Sequence, residues 1–166
     1  MMSKYTEILN QIKETCSYEW LSHSQRGVFE RIAGGLETHK LINIYGDPGT
    51  GKTFLGWVFQ KTLGFIYTNT ITEIPECEFV VFDDNFRFRR EDTRLLRPVL
   101  SRKNINRMIL LTRQQVQDDV PALHLQLDND DIMQVSSNLF MKLDFQILEK
   151  GATESNLRDL IIRNIK

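Results

Sequence analysis

The sequence contains little cysteine, and its cysteines form no recognisable site. Among its 166 residues there are two, Cys16 and Cys77. Neither belongs to a CxxC pair or stands beside a pair of histidines, so the chain offers neither the spacing of a zinc site nor a disulfide framework. We therefore expect both thiols to be buried or chemically inert.

Long apolar runs are also missing. The longest, Phe79–Phe82 and Met108–Leu111, each last four residues, whereas a helix that spans a bilayer needs about 20. The first turns of the chain contain Lys4, Glu7 and Lys13, so they do not resemble a secretory signal. These absences favour a cytoplasmic protein without a membrane partner.

Neither sign of charge dominates the composition. The chain has 21 Lys and Arg against 22 Asp and Glu, for a net charge of −1, so as a whole it is not a polycation that coats nucleic acid. Its 41% hydrophobic and 26% charged residues are typical of globular proteins. A chain of this length can fold as one domain without disulfides or a structural metal.

Apolar spacing predicts alternating helices and strands along the chain. Because strands that alternate with helices usually form a parallel sheet, the sequence predicts an α/β fold. We expect a three-layer α/β/α arrangement around a mainly parallel five-stranded sheet. Helices are predicted at 4–20, 22–35, 53–63, 93–103 (interrupted at Pro98) and 154–166, and strands at 41–45, 65–68, 79–82, 108–112 and 123–127.

The apolar pattern of the segment 139–147 fits two kinds of secondary structure. All its odd positions are apolar, which favours an extra C-terminal strand. Leu139, Leu143 and Ile147 also have helical spacing, so a helix stays open. We expect a single domain that consists of an N-terminal helix (1–20), a core (21–150) and a C-terminal helix (151–166).

One motif in the sequence has a specific chemical meaning. A GxxxxGK[ST] pattern follows the first predicted strand and precedes a predicted helix, as a phosphate-binding P-loop requires. Its glycines allow backbone N–H groups to turn inward around an anion, at the positive end of the helix. The residues expected to contact the nucleotide are Gly46, Asp47, Pro48, Gly49, Thr50, Gly51, Lys52 and Thr53.

Acidic residues follow the third predicted strand. Asp83 and Asp84 come directly after four apolar residues, so they should emerge at the carboxyl edge of the sheet, beside the P-loop. Asp83 and the Thr53 hydroxyl would hold Mg²⁺, and Lys52 would reach the β- and γ-phosphates. Asp84 would then orient and polarise the attacking water.

These two motifs together resemble the Walker A and Walker B motifs of the additional-strand P-loop ATPases, a class that includes AAA+ proteins and helicases. The resemblance covers roughly residues 20–128 and implies ATP and Mg²⁺ as ligands. Most members have Glu where this chain has Asp84. The short interval between Lys52 and Asp83 implies that the helix between strands two and three is very short or missing. Too few residues follow residue 128 for the usual helical lid and its sensor arginine, so we expect no AAA+ lid domain.

The same resemblance suggests two further residues. Thr112 closes the fourth predicted strand, where this class has a polar sensor residue, with Gln114 as the reserve candidate; an ordinary strand end explains Thr112 equally well. Leu21–Gln25 resembles the glutamine motif of superfamily 1 helicases, in which the glutamine contacts adenine. Gln25 can also cap a helix together with Ser22, and we favour the cap.

Positive charge is concentrated between Arg87 and Arg113. This segment contains eight arginines and one lysine but only two acidic residues. Three interpretations stay open. Arg87, Arg89 and Arg90 are candidates for contacts with DNA or RNA phosphates. Arg94 and Arg97 are candidates for an arginine finger that reaches the nucleotide of a neighbouring subunit. Alternatively, the segment is a solvated face that pairs with acidic residues downstream.

The sequence thus predicts an ATP-binding, Mg²⁺-dependent ATPase that acts in a nucleic-acid-handling or partner complex, as a homo-oligomer or as part of a larger assembly. Two alternatives remain. The first is a nucleotide-gated binding module with little hydrolysis, and the second is a nucleoside monophosphate kinase.

Overall fold

The computed structural model describes residues 4–35, 39–83, 93–116, 119–143 and 157–164. Within these ranges the helices are α1 (Lys4–Thr15), α2 (His23–Gly35), α3 (Lys52–Leu63), α4 (Thr93–Arg102), α5 (Asn129–Leu143) and α6 (Leu157–Asn164). The strands are β1 (Leu41–Tyr45), β2 (Ile66–Thr68), β3 (Phe79–Asp83), β4 (Arg107–Thr112) and β5 (Ala122–His124). Two short 3₁₀ helices, Tyr18–Trp20 and Ile71–Glu73, complete the secondary structure of these ranges.

All strand pairs in the sheet are parallel, and the strand order is β2-β3-β4-β1-β5. Strand β4 therefore lies between β1, which leads into the P-loop, and β3, which ends at Asp83. In the register of the sheet, Tyr45 pairs with Thr112, and Asp83 pairs with Leu111. The carboxyl ends of these three strands consequently meet at one edge.

Apolar side chains cover both faces of this sheet. Along β4, Ile109 and Leu111 pack in one cluster with the inner side of α2 and α3, whereas Met108 and Leu110 pack in a second cluster with α4. This alternation arises because successive side chains of a strand point to opposite faces. The three-layer α/β/α arrangement and the five-stranded parallel sheet are thus confirmed.

Two details of the connections and helices bear on the prediction, one in agreement with it and one against it. The connection between β2 and β3 contains only the 3₁₀ turn Ile71–Glu73, which confirms that the usual helix there is very short or missing. Helix α4 continues without interruption through Pro98, contrary to expectation. The fixed φ of proline suits a helix, although its ring removes one backbone hydrogen bond and crowds the preceding turn.

The extra strand that we favoured at 139–147 is wrong as far as Leu143, because these residues belong to helix α5. In a strand, Leu139 and Met141 would point to the same face and both be buried. In the structure Leu139 is buried, but Met141 is 65% exposed. Residues 144–150, including Phe145 and Ile147, lie outside the described residues. The boundaries of the three expected segments remain a prediction. In the described residues no helix combines the length and apolar character needed to cross a bilayer.

Helix α5 begins with a reciprocal capping interaction. The backbone N–H of Asp131 donates to Asp128 Oδ1 at 2.8 Å, and that of Asp128 donates to Asp131 Oδ2 at 3.0 Å. The other oxygen, Asp131 Oδ1, accepts from the backbone N–H of Ser24 in the first turn of α2 at 2.9 Å. One buried carboxylate therefore caps two helices and ties α5 to α2.

Replacing Asp131 with alanine should lower the free energy of unfolding by about 2 kcal/mol at neutral pH, because two helix N-termini lose a charged acceptor. Burial by itself would raise the pKa of Asp131, but hydrogen bonds from Ser24 and Asp128 outweigh it and hold the pKa below the ordinary value of 3.8. The contribution is therefore complete above that value and disappears as the pH falls through the lower, folded-state pKa.

Urea unfolding at pH 7 and near pH 3 measures this effect. Asp130→Ala is the matched control, since Asp130 lies in the same helical turn but is exposed. Equal losses of stability in the two variants, or a loss from Asp131→Ala that does not shrink in acid, would contradict the prediction.

Candidate functional site

The P-loop connects β1 to α3 as the sequence predicts. Gly49 and Gly51 have positive φ angles of 87° and 81°, and Gly51 is the N-cap of α3. A Cβ atom at Gly46 would lie 2.2 Å from the carbonyl oxygen of Leu125. Only glycine fits at these positions, because it tolerates left-handed angles and close backbone approach. The loop therefore has the backbone that a phosphate-binding nest needs.

The Lys52 amine lies across this loop. Its Nζ donates hydrogen bonds to the carbonyl oxygens of Gly46 at 2.7 Å and Asp47 at 2.8 Å. Burial lowers the pKa of Lys52, Asp83 and Asp47 raise it in part, and Arg113 lowers it further. Phosphate oxygens would offer this cation charged acceptors, which form stronger hydrogen bonds than neutral carbonyls.

Thr53 and Asp83 meet although 29 residues of the chain lie between them. The hydroxyl of Thr53 donates to Asp83 Oδ2 at 2.6 Å, and the Asp83 carboxylate is 3% exposed. A hydroxyl next to a carboxylate is a hard-oxygen pair of the kind that Mg²⁺ prefers, with phosphates and water as its remaining ligands. The described residues contain no cluster of three or more His, Cys, Asp or Glu suited to a metal, so this pair fits Mg²⁺ only together with such outside ligands.

Tyr67, which no motif in the sequence indicates, also reaches Asp83. Its hydroxyl donates to the same Oδ2 atom at 2.6 Å, from the middle of the neighbouring strand β2. Burial and the nearby carboxylate both raise the pKa of Tyr67, so the phenol stays protonated and donates. Asp83 is therefore oriented by hydroxyl groups from two different elements.

A cavity of about 510 Å³ lies beside the P-loop. Its polar lining includes Lys52, Thr53 and Asp83, together with Arg113 and Arg158, and α1, α5 and α6 line it as well. Its aromatic lining consists of Tyr5, Trp20, Phe54 and Trp57. Cationic and apolar walls together suit a ligand with a phosphate chain and a flat ring system.

No protein-family model matches the sequence, and no curated protein matches it. Solved structures do match. They include a replication initiator DnaA bound to AMPPCP and single-stranded DNA, with 16% sequence identity, a TM-score of 0.59, and coverage of 87% of this chain and 61% of that one. AMPPCP-bound DnaA from Aquifex aeolicus matches with 17% identity and a TM-score of 0.51, over 84% of this chain and 60% of that one.

A third structure, a DNA replication initiation factor, matches with 16% identity and a TM-score of 0.56, over 86% of this chain and 60% of that one. This chain has an AAA+-like P-loop NTPase fold. The predicted resemblance is thus confirmed at the level of the fold, in agreement with the position of β4 between β1 and β3. The chain spans about three fifths of the length of these structures.

Thr112, whose role as a sensor stays a prediction, lies at the carboxyl end of β4. Its hydroxyl donates to the carbonyl oxygen of Gln114 at 2.7 Å and accepts from Asn43 Nδ2 at 2.8 Å. Asn43 is fully buried in β1, and its Oδ1 accepts from the backbone N–H of Val116 at 3.1 Å. Asn43 therefore fixes the loop that carries Arg113 into the cavity. No local spacing pattern in the sequence indicates Asn43.

Helix α6 lies directly on the P-loop of the AAA+-like core. The backbone N–H of Leu157 donates to the carbonyl oxygen of Gly49 at 2.9 Å, and the next residue, Arg158, lines the cavity. Leu157, Leu160 and Ile161 pack in a cluster with α1 and α5. No pattern in the sequence indicates that an arginine from the C-terminal helix reaches this site.

Gln25 caps α2, as we favoured. Its Oε1 accepts from the backbone N–H of Ser22 at 3.1 Å, and its own backbone N–H makes a longer bond of 3.5 Å to Ser22 Oγ. The fully buried amide also donates from Nε2 to the carbonyl oxygen of Thr50 at 3.4 Å. Gln25 thus connects α2 to the P-loop, and its contact with adenine stays a prediction.

The remaining predicted residues belong to the arginine-rich segment or adjoin it. Asp84, Arg87, Arg89 and Arg90 lie outside the described residues, as does the side chain of Arg94. Arg97 is exposed and forms an ion pair of 3.1 Å with Asp119. For Arg97, this matches the interpretation as a solvated face paired with acidic residues, although an exposed pair contributes only about 0.2–1 kcal/mol.

Proposed function

We propose that this chain binds ATP with Mg²⁺ at the P-loop and hydrolyses it. The observation that carries the proposal is the 2.6 Å hydrogen bond between the Thr53 hydroxyl and the Asp83 carboxylate at the end of a glycine-shaped loop. A chance glycine-rich turn would have no reason to place its last residue against a buried carboxylate on a separate strand. The DnaA structures with the same fold, which contain AMPPCP, support ATP as the nucleotide.

Each residue has a defined task in this proposal. Backbone N–H groups of the loop bind the phosphate chain, and the Lys52 amine moves from the loop carbonyls to the β- and γ-phosphate oxygens. Thr53 and Asp83 hold Mg²⁺, which neutralises charge on the phosphates when it is bound. Asp84 orients and polarises the attacking water. Arg113 and Arg158 line the same cavity and offer further positive charge to the phosphates.

We also propose that the ATPase works in a nucleic-acid-handling assembly, as a homo-oligomer or with other proteins. One of the matching DnaA structures contains single-stranded DNA, and the segment from Arg87 to Arg113 supplies the cations that a polyanion requires. Within such an assembly, Arg94 or Arg97 would serve as the finger for the neighbouring nucleotide.

Phosphate release with and without single- or double-stranded DNA, at two salt concentrations, tests both parts of this proposal. We expect turnover that requires Mg²⁺ and that DNA stimulates, with less stimulation at high salt because DNA binding then weakens. Failure to bind ATP in the presence of Mg²⁺ would contradict the whole proposal. Turnover that DNA leaves unchanged at both salt concentrations would contradict the nucleic-acid part alone.

A nucleotide-gated module with little hydrolysis is a second candidate, and one observation favours it. The Thr112 hydroxyl already donates to the Gln114 carbonyl, so while that bond persists its proton is not available to a phosphate. Equally slow turnover in the wild type and in Asp84→Ala, with ATP still bound, would select this function. Turnover only after addition of a nucleoside monophosphate would select the kinase instead.

A further inference from the structure

The Asp83 carboxylate receives two hydroxyl donors on a single oxygen. Thr53 and Tyr67 both donate to Oδ2, each at 2.6 Å. The two donors differ in what else they must do. Under the proposed function, Thr53 also turns its oxygen toward the metal, so its orientation depends on the ligand. The phenol of Tyr67 has no such second task, and it can hold the carboxylate independently of the ligand.

The surroundings of Tyr67 fix its ring in place. The ring packs edge-on against Trp57, with centroids 6.3 Å apart and planes inclined at 64°. Opposite Gly56 it approaches α3 so closely that a Cβ atom there would lie 2.9 Å from Tyr67 Cε2. Lys13 Nζ lies 5.9 Å from the ring centroid. Because these contacts restrain the ring of Tyr67, its hydroxyl keeps one direction, toward Asp83.

We propose that Tyr67 is a positioning residue that holds the Asp83 carboxylate in the orientation that Mg²⁺ binding requires. This inference rests on the proposed function of the P-loop site. A carboxylate turns easily about its Cβ–Cγ bond, and groups that orient a metal ligand typically change metal affinity by about 10- to 100-fold when they are removed. The phenol contributes to Mg²⁺ binding through Asp83 and makes no contact with the metal itself.

Tyr67→Phe removes the hydroxyl and keeps the ring. We would measure the affinity of the purified protein for mant-ATP in EDTA, and then titrate Mg²⁺ into the complex. The variant should bind mant-ATP in EDTA within about twofold of the wild type, because loop and cavity are unchanged. Its Mg²⁺ midpoint should rise by about tenfold. Tyr18→Phe is the matched control, since the Tyr18 hydroxyl also donates to a carboxylate, that of Glu30, but at an exposed position away from the P-loop.

Other results would overturn the inference. An unchanged Mg²⁺ midpoint in Tyr67→Phe would contradict it. Equal losses of mant-ATP affinity in EDTA and in Mg²⁺ would also contradict it, because they would indicate that Tyr67 is a purely structural residue. If Tyr67→Phe does not fold, Gly56→Ala decides instead, because its Cβ displaces the ring while the hydroxyl is kept; it should raise the Mg²⁺ midpoint in the same way. A wild type that binds no mant-ATP would contradict the proposed function itself, which separates the two failures.

Discussion

Replacing Lys52 with alanine should reduce ATP turnover by about 100-fold or more, because the site loses its positioned cation for the charge that develops on the transferred phosphate. The amine lies across the P-loop in the structure, bonded to the carbonyl oxygens of Gly46 and Asp47. Steady-state phosphate release measures the effect. Since these bonds also brace the loop, a thermal unfolding curve of the variant should accompany the kinetics.

Lys40→Ala is the matched control for this substitution. Lys40 is an exposed lysine just before β1, at the opposite edge of the sheet from the P-loop. Its replacement should leave turnover within about twofold, because screening weakens so distant a charge. Wild-type turnover in Lys52→Ala would mean that the phosphate is bound elsewhere in the protein.

Replacing Gly46 with alanine should lower the free energy of unfolding by about 3 kcal/mol. A Cβ atom at this position would lie 2.2 Å from the carbonyl oxygen of Leu125 and 3.3 Å from its carbonyl carbon. Backbone atoms of the segment after β5 cannot move aside as a flexible side chain would. Strand β5 must therefore shift relative to β1, and the P-loop must distort with it.

Gly27→Ala is the control, for which we expect a change of opposite sign in the free energy of unfolding. Gly27 lies inside α2, and a Cβ atom there has no neighbour within 4 Å. Alanine should stabilise this helix by up to about 1 kcal/mol because it has the higher helix propensity. Chemical unfolding of both variants gives the two values. A Gly46→Ala variant as stable as the wild type would show that β5 does not approach the loop so closely.

The P-loop and the strand before Asp83 could be predicted because their signals are contiguous in the sequence. Eight residues between a strand and a helix determine the loop, and four apolar residues determine the buried strand. Parallel strands then bring Thr53 to Asp83, as the structure confirms. The order of the strands in the sheet thus brings the P-loop motif and the strand that ends at Asp83 together in one site.

Apolar spacing alone could not decide whether the segment that begins at Leu139 is a helix or a strand, because its apolar residues fit both the helical and the strand period. The deciding signal lay upstream of this segment, at the start of the helix. Asp128 and Asp131 cap the first turn of α5, and once that helix has started it continues through Leu143. A capping pattern before an ambiguous apolar stretch is therefore stronger evidence than the alternation within it.

The other missed residues have no local signal at all. Tyr67, Arg113 and Arg158 come from three parts of the chain that are distant in the sequence. Only the folded chain brings Arg113 and Arg158 to the cavity and the Tyr67 hydroxyl to Asp83. A tyrosine in the middle of an edge strand could equally well face solvent. Its role depends on the proximity of β2 to β3, and the sequence does not specify that the phenol reaches the carboxylate.

The two outer strands of the sheet, β2 and β5, are each three residues long. An outer strand with so few unpaired N–H and C=O groups is a poor template for the backbone of another molecule. Edge-to-edge pairing of sheets into fibres is disfavoured for the same reason. Of the described residues, helices and loops therefore offer a better surface than the sheet edges for association between copies of this chain, and such contacts can loosen and reform without breaking the sheet.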